Sequence, residues 1–442
     1  MEEIGVMAGE TLRIGICGLG TVASGVVNIF NDHQGLISSR SGADVSLIHI
    51  GARRDNPNCD TSAYRVSRDL VAVVEDPAVD VVVELIGGTT TARDLVTKAL
   101  TAGKHVVTAN KALIAECGNE LAALADAQGV SLRFEAAVAG GIPVIKTLRE
   151  ALAANEITGI SGIINGTGNF ILTEMSSAGR PFGDVLAEAQ ALGYAEADPT
   201  FDVDGTDAAH KLAILASIAF GMPVGTENVA KEGIDLITPE DLEFAAELGF
   251  RVKHLGIARR TGEAVDLRVH PTLLPERQLL ARVDGVLNAV RIEGDAVGEL
   301  VLTGPGAGSL PTASAVCADL ADLAKSLGGR VAAPTFGLPT DALRPLATLS
   351  RGEIEGAWYL RLEVEDRAGV MAEITRTLGE YGISIEALIQ RPPSPGSSQV
   401  TVVIITDRVA TQSMDEAAES IEALDALRGA LQRIRVESFE EA

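Results

Sequence analysis

Residues 12–23 read LRIGICGLGTVA. The apolar run Leu12–Cys17 stops at a glycine, and apolar residues recur at helical spacing from Val22 to Phe30. A buried strand, a tight glycine turn and a helix therefore follow one another. In such a turn Gly18 permits the reversal and Gly20 lets backbone approach a pyrophosphate. Thr21 and Val22 open the helix whose N-terminus faces that charge. Ala23 takes the third small position of the glycine pattern, where alanine is tolerated. Taken alone the pattern fits any tight turn. Its strand–turn–helix setting points to a dinucleotide.

The alternation continues outward from this turn. Val45–Ile50, Val79–Ile86, His105–Thr108 and Ser131–Ala136 read as further strands. Between them, Thr91–Ala102 ends at Gly103 and a second helix runs from Leu113 to Gln128. Strands alternating with helices predict an α/β fold, a doubly wound Rossmann-type parallel sheet. We assign residues 11–140 to this dinucleotide-binding domain, completed by an Ala-rich helix at 312–327.

After Pro143 the pattern changes. A strand over 157–164, helices at 184–192 and 206–220, and strands near 250–258, 266–270, 284–292 and 297–302 suggest a second α+β domain for catalysis and dimerisation, 141–311. Residues 328–354 include several Gly and Pro and read as a linker. Strands at 358–364, 383–390, 400–406 and 433–437, with helices at 371–381 and 415–432, give a βαββαβ domain over 355–437. The segment PPSPGSS, 392–398, reads as a loop within it.

With 61 acidic and 36 basic residues the net charge is −25, which argues against nucleic acid and anionic membranes as partners. No apolar run reaches the roughly 18 residues of a membrane helix. Four cysteines, Cys17, Cys59, Cys117 and Cys317, form no C-x-x-C pair. A disulfide framework or zinc site is not expected, and the acidic N-terminus has no signal-peptide pattern. The expected compartment is the cytoplasm.

Three places carry chemistry. The second strand runs into Gly51-Ala52-Arg53-Arg54, where NAD-selective folds place an acid. Arg53 and Arg54 suit a 2′-phosphate, so NADP(H) is the preferred cofactor and NAD(H) the alternative; a solvated basic pair is the plain reading. Thr108-Ala109-Asn110-Lys111 follows a strand end, where open sheets bind ligands. A lysine there either reaches that ligand or is solvated. The most informative stretch is ALGYAEADP, 191–199, continuing through Asp202, Asp204, Asp207 and Lys211. Asp207 and Lys211 share a helix face, and the helix around them is apolar through Ala208, Ala209, Leu212, Ala213, Leu215 and Ala216. A carboxylate can hold a lysine charged and aimed, and a second can bind a substrate ammonium.

This stretch resembles the signature of homoserine dehydrogenases, and the likeness extends through most of 12–330. Three blocks agree with it: TANKALIA at 108–115, NGTGNF at 165–170 and GPGAG at 304–308. The C-terminal section resembles an ACT domain through DRAGVM, 366–371, and ISIE, 383–386. The resemblance implies interconversion of aspartate 4-semialdehyde and homoserine with NAD(P)H. It implies Lys211 as the catalytic lysine and Lys111 as a second lysine near nicotinamide and substrate. Glu196 and Asp207 become substrate-binding carboxylates, and Gly308 a glycine touching the cofactor. Glu135, Val138, Gly140 and Ile142 correspond to positions that bind structural sodium in some members. An amino-acid effector, threonine first, is expected at the ACT domain near Gly369, in a homodimer or homotetramer. Truncation after about Ser350 is then expected to keep the catalytic residues and abolish threonine inhibition.

Two rival readings exist. A thioester-forming aldehyde dehydrogenase needs an activated thiol. Cys17 falls inside a strand, and the other three cysteines have no nearby histidine. A sensor with a disused catalytic domain would have no need of the intact set Lys111, Glu196, Asp207 and Lys211.

Overall fold

The computed structural model describes residues 11–327, 333–393 and 398–439. The chain divides into two compact units that interleave along the sequence. The first comprises residues up to 166, 207–229 and 286–346; the second comprises 167–206, 230–285 and 347 onward.

The first unit is built on six parallel strands. In chain order these are β1 (Thr11–Cys17), β2 (Asp44–Gly51), β3 (Arg65–Ser67), β4 (Val81–Glu84), β5 (His105–Thr108) and β6 (Leu132–Arg133). Their spatial order is β3-β2-β1-β4-β5-β6. The order reverses between β1 and β4, so the crevice outside their carboxyl ends is the switch point where such sheets bind ligands. The connecting helices are α1 (Thr21–Ser41), α2 (Val71–Glu75), α3 (Thr90–Thr101) and α4 (Lys111–Gln128). Leu12, Ile14, Ile16, Val81 and Val83 are fully buried, as strands covered on both faces must be.

The Ala-rich helix runs Ser309–Lys325, beginning three residues earlier than its apolar spacing suggests. It packs along α1 with Val316 and Leu320 in the shared core. The contact is close because of Gly25, where a Cβ would lie 2.7 Å from the Ser309 carbonyl oxygen. Three strands, Ile157–Ile163, Leu287–Gly294 and Gly298–Pro305, form an antiparallel set in this unit. Residues 333–346, read as linker, are packed rather than loose. Phe336 is buried against Phe134, and Thr340 donates to Asp126 at 2.7 Å. Linker residues 328–332 lie outside the described residues.

In the second unit the C-terminal strands pair in the order 385–390, 399–406, 355–365, 427–436, all antiparallel. Helices Val370–Glu380 and Thr411–Glu422 contribute to their core, giving the βαββαβ sandwich. The other face of that sheet is not a free surface. Tyr359, Val403, Ile405, Ile434 and Val436 share one core with Phe170, Met175, Phe244 and Leu273. Truncation at Ser350 would therefore open a core rather than detach a free-standing module.

Several elements differ from the sequence reading. The last helix ends at Glu422, and Leu427–Val436 is strand, although 423–432 has good helix formers. Pairing with Glu355–Glu365 overrides propensity there, and Gly429 at φ 78° interrupts the ladder. The fifth strand shrinks to Leu132–Arg133 because Glu135–Ala137 turns into a 3-10 helix. Helix Gly166–Ala178 was hidden by the glycines of NGTGNF, and Pro239–Glu247 by its short length. Part of the loop 392–398, residues 394–397, lies outside the described residues.

Candidate active site

The first turn behaves as its glycines require. Gly18 sits at φ 105°, and a Cβ there would lie 2.6 Å from the Leu85 carbonyl oxygen. At Gly20 a Cβ would meet nothing within 4 Å, so the space before α1 stays open. A cavity of about 490 Å³ extends from this turn, lined by Gly18, Gly20, Arg53, Arg54, Gly87 and Thr91. Among the described residues neither Arg53 nor Arg54 forms an ion pair. Gly308, at φ 116°, caps the helix Ser309–Lys325, and Ser309 Oγ donates to the Thr21 carbonyl at 2.7 Å. The GPGAG loop is thereby anchored at the entry to α1.

The loops after β4 and β5 are tied together by a carboxylate whose role the sequence did not disclose. Glu84, fully buried at the end of β4, accepts from Thr108 Oγ1 at 2.6 Å and from the Ile86 and Gly87 amides at 2.8 and 3.2 Å. Asn110 donates to the Gly88 carbonyl at 2.6 Å and accepts from the Leu113 amide at 3.1 Å, capping α4. Lys111 is thus the first residue of a capped helix at the carboxyl end of the sheet.

Lys111 meets the helix Thr206–Phe220, whose Ala and Leu residues let it bury nearly all round. Its Nζ ion-pairs with Asp207 Oδ1. Lys211 Nζ donates to Asp207 Oδ2 at 2.7 Å and to the Ile164 carbonyl at 2.7 Å. Asn165 Nδ2 also donates to Asp207 Oδ2, at 2.9 Å. Asp207 is 2% exposed, Lys211 11% and Lys111 34%. Burial alone would raise the Asp207 carboxyl; the Lys211 and Lys111 ammoniums outweigh it and hold the group well below the carboxylate range. One carboxylate between two ammoniums leaves the cluster with a net positive charge, suited to an oxyanion.

Glu196 belongs to the second unit. It is exposed in the segment after helix Phe182–Ala191, with its carbonyl accepting from Gln190 Nε2 at 3.0 Å. The neighbouring acids are partly explained locally. Asp198 accepts from the Thr200 amide at 3.1 Å, and Asp204 from the Thr206 amide and hydroxyl at 2.8 Å each. Glu135 turns its carboxylate onto the Ile145 and Lys146 amides at 2.9 and 2.7 Å. Burial, and then Asp319, push its pKa up to about 7. Ala139 at φ 55° and Gly140 at φ 50° reverse the chain just beyond it. Burial pushes the Cys17 and Cys317 thiols up to about 12 and raises those of Cys59 and Cys117 as well. Sequence reasoning missed Glu84, Gly25 and the role of Asn165. Of these only Asn165 had a signal, its place in NGTGNF.

A nucleotide crevice at the switch point, with a buried Lys–Asp–Lys cluster in the same unit, defines a nicotinamide-dependent oxidoreductase. Residues 18–135 match the homoserine dehydrogenase NAD binding domain, 143–321 match homoserine dehydrogenase, and 358–426 match the ACT domain. A homoserine dehydrogenase of Pseudomonas aeruginosa is 51% identical over 434 residues, covering 97% of this chain and 100% of its own. A crystal structure of a homoserine dehydrogenase from Thiobacillus denitrificans superposes with TM-score 0.92 at 47% identity, covering 98% and 99%. A hyperthermophilic archaeal homoserine dehydrogenase mutant in complex with NADPH gives TM-score 0.59 at 28% identity, covering 70% of this chain and 97% of that one. The chain belongs to the homoserine dehydrogenase family, with its NAD-binding domain and a C-terminal ACT domain. No helix among the described residues is long and apolar enough to cross a membrane.

Proposed function

We propose that Lys211 and Lys111 carry the interconversion of aspartate 4-semialdehyde and homoserine, and that Asp207 holds both lysines. The observation that supports this is the single buried carboxylate shared by the two ammoniums. When bound, the reduced nicotinamide supplies hydride to the aldehyde carbon. The oxygen that gains negative charge is stabilised by the lysine ammoniums, and Lys211 Nζ donates the proton that makes the hydroxyl. Both oxygens of Asp207 are engaged, so we assign the substrate ammonium chiefly to Glu196. Steady-state kinetics of Lys211→Ala with homoserine as substrate test the assignment.

We assign the open space at Gly18, Gly20, Thr21 and Val22 to the pyrophosphate, and Gly308 to backbone contact with the cofactor. Arg53 and Arg54 then read the 2′-phosphate, which makes NADP(H) the preferred cofactor; the archaeal relative's NADPH supports this. Initial rates with both nucleotides test it. Structural sodium would rest on backbone carbonyls. The Glu135 carboxylate and the Ile142 carbonyl already accept amide hydrogens, the latter from Val144 at 2.8 Å. Among the described residues no cluster of three His, Cys, Asp or Glu could hold a metal instead. The left-handed pair at Ala139 and Gly140, flanked by Val138, suits a hard cation held by such oxygens, and it takes no part in the hydride step.

For the ACT domain we propose threonine inhibition at the Gly369 turn. Gly369, at φ 99°, caps helix Val370–Glu380, and a Cβ there would meet nothing within 4 Å. Inhibition of the full chain by millimolar threonine tests this. We read the enzyme as a cytoplasmic homodimer or homotetramer, which light scattering resolves.

A further inference from the structure

The motifs NGTGNF and GPGAG meet on a side chain that belongs to neither. Asn288 is the second residue of strand Leu287–Gly294 and pairs with Gly304 of strand Gly298–Pro305, which brings it beside the GPGAG loop. It is 1% exposed, and neither end of its side-chain amide has a hydrogen-bond partner among the described residues. A buried amide left unbonded is costly. Something other than a bond has to favour it there.

Shape supplies the reason. A Cβ at Gly306 would meet Asn288 Cγ and Oδ1 at equal distance, and Nδ2 slightly farther away at 2.5 Å. Such a point stands above the face of a planar group, so the amide lies flat against Gly306. At the other motif, a Cβ at Gly166 would lie 3.5 Å from Asn288 Oδ1 and 2.9 Å from the Val286 carbonyl oxygen. Both motif glycines thus make room for the same short segment. A flat amide fits against Gly306 where the tetrahedral branch of Leu or Val would not. An Asp of the same shape would bring an unpaired charge into a buried place.

Each glycine sits next to a working part of the site. Gly166 follows Asn165, which donates to Asp207 Oδ2 at 2.9 Å, and Ile164, whose carbonyl accepts from Lys211 Nζ at 2.7 Å. Gly306 is in the loop that Ser309 Oγ ties to the Thr21 carbonyl at the nucleotide turn. All of these residues lie in the first unit. We propose that Asn288 is a positioning residue for hydride transfer, whose amide sets the spacing between the turn that holds Asp207 and Lys211 and the loop that bears on the cofactor. The proposal rests on the roles given above to Lys211 and Gly308. Hydride passes only between carbons held close and aligned, and a misplacement of about 1 Å can cost about 10²-fold in rate. A hole at position 288 lets the loop shift while every group that binds the nucleotide is still present.

The test is single-turnover oxidation of homoserine, with NADPH affinity read by fluorescence and thermal midpoints measured alongside. Asn288→Ala should slow hydride transfer about tenfold and leave NADPH affinity within about twofold. Gly306→Ala, whose new methyl collides with the amide, should slow transfer at least as much. Adding Asn288→Ala to Gly306→Ala makes room for that methyl, and the double variant should be about threefold or more faster than Gly306→Ala alone. If Gly306→Ala does not fold, Asn288→Ser takes its place and should fall between Asn288→Ala and the unaltered enzyme. A normal transfer rate in Asn288→Ala, with only the thermal midpoint lowered, overturns the proposal. So does a loss confined to NADPH affinity, or a double variant no faster than Gly306→Ala. Lys211→Ala in parallel keeps the two readings apart. If it alone transfers hydride normally, the donor assignment fails; if only the Asn288 variants do, the spacing role fails.

Discussion

Asp207 and Arg351 are both charged groups in polar clusters, yet the structure treats them oppositely. Asp207 is buried, accepting from Lys211 and Asn165 at Oδ2 and ion-paired with Lys111 at Oδ1. Arg351 is more than half exposed, and its two ion pairs are long. Charges that act on a transition state gain most when they are fixed beforehand, because no reorganisation is then paid at the moment of reaction. The contrast sets a fixed charge cluster in the first unit against loosely held charges in the second.

The strongest way to break the comparison is to empty the fixed cluster. Lys211→Ala should lower kcat by about 10²–10⁴-fold, the usual scale for a positioned proton donor. NADPH binding, followed by fluorescence, should stay close to that of the unaltered enzyme. A kcat within tenfold of it would mean Lys211 is not the donor. Asp207→Asn should cost less, about 10²-fold, since the lysines remain but lose their common anchor.

The same substitution has a pH signature. The folded-state pKa of Asp207 is depressed, so its ionised form contributes stability above the unfolded value of about 3.9. That contribution is lost as pH falls through and below this value. The thermal deficit of Asp207→Asn should be constant from pH 5 to 8 and shrink toward pH 3. A deficit that grows on acidification would contradict the assigned ion pairs.

Arg53→Ala sharpens the comparison on the cofactor side. It removes a charge lining an open cavity rather than a buried bond, and it should raise KM for NADPH by about tenfold while leaving NADH nearly unchanged. Equal losses for both nucleotides would pass the role to Arg54.

How much of this was legible in the sequence follows from the range of the interactions. Helix spacing placed Asp207 and Lys211 on one face, and strand–turn–helix order gave the nucleotide turn, because both are local. The parallel sheet followed from the same alternation. The bond between Lys111 and Asp207 joins residues 96 apart, and no local pattern encodes it. Glu84 was one acid at the end of an apolar strand, without a partner until Thr108 folded beside it. Gly25 looked like an ordinary helix glycine, although its missing side chain admits Ser309 from far along the chain. The C-terminal sandwich was legible as a topology but not as half of a shared core. The burial of Tyr359 and Ile405 against Phe170 and Phe244 depends on elements that are distant in sequence.

The smallest expected effect concerns the thiols. Cys17 is buried in β1 with its Sγ 3.7 Å from the Leu70 carbonyl, and Cys317 is buried in the helix that covers α1. Desolvation, with Glu84 adding to it at Cys17, pushes both up to about 12. Cys59 and Cys117 are half-buried, and burial raises them as well. The thiolate is the reactive form, so a maleimide at pH 8 should label Cys59 and Cys117 slowly and leave Cys17 and Cys317 unmodified in the folded enzyme. Homoserine oxidation should persist throughout, because the lysine cluster contains no sulfur. Activity falling in step with modification of a single cysteine would revive a thioester route and remove Lys211 from the centre of the mechanism.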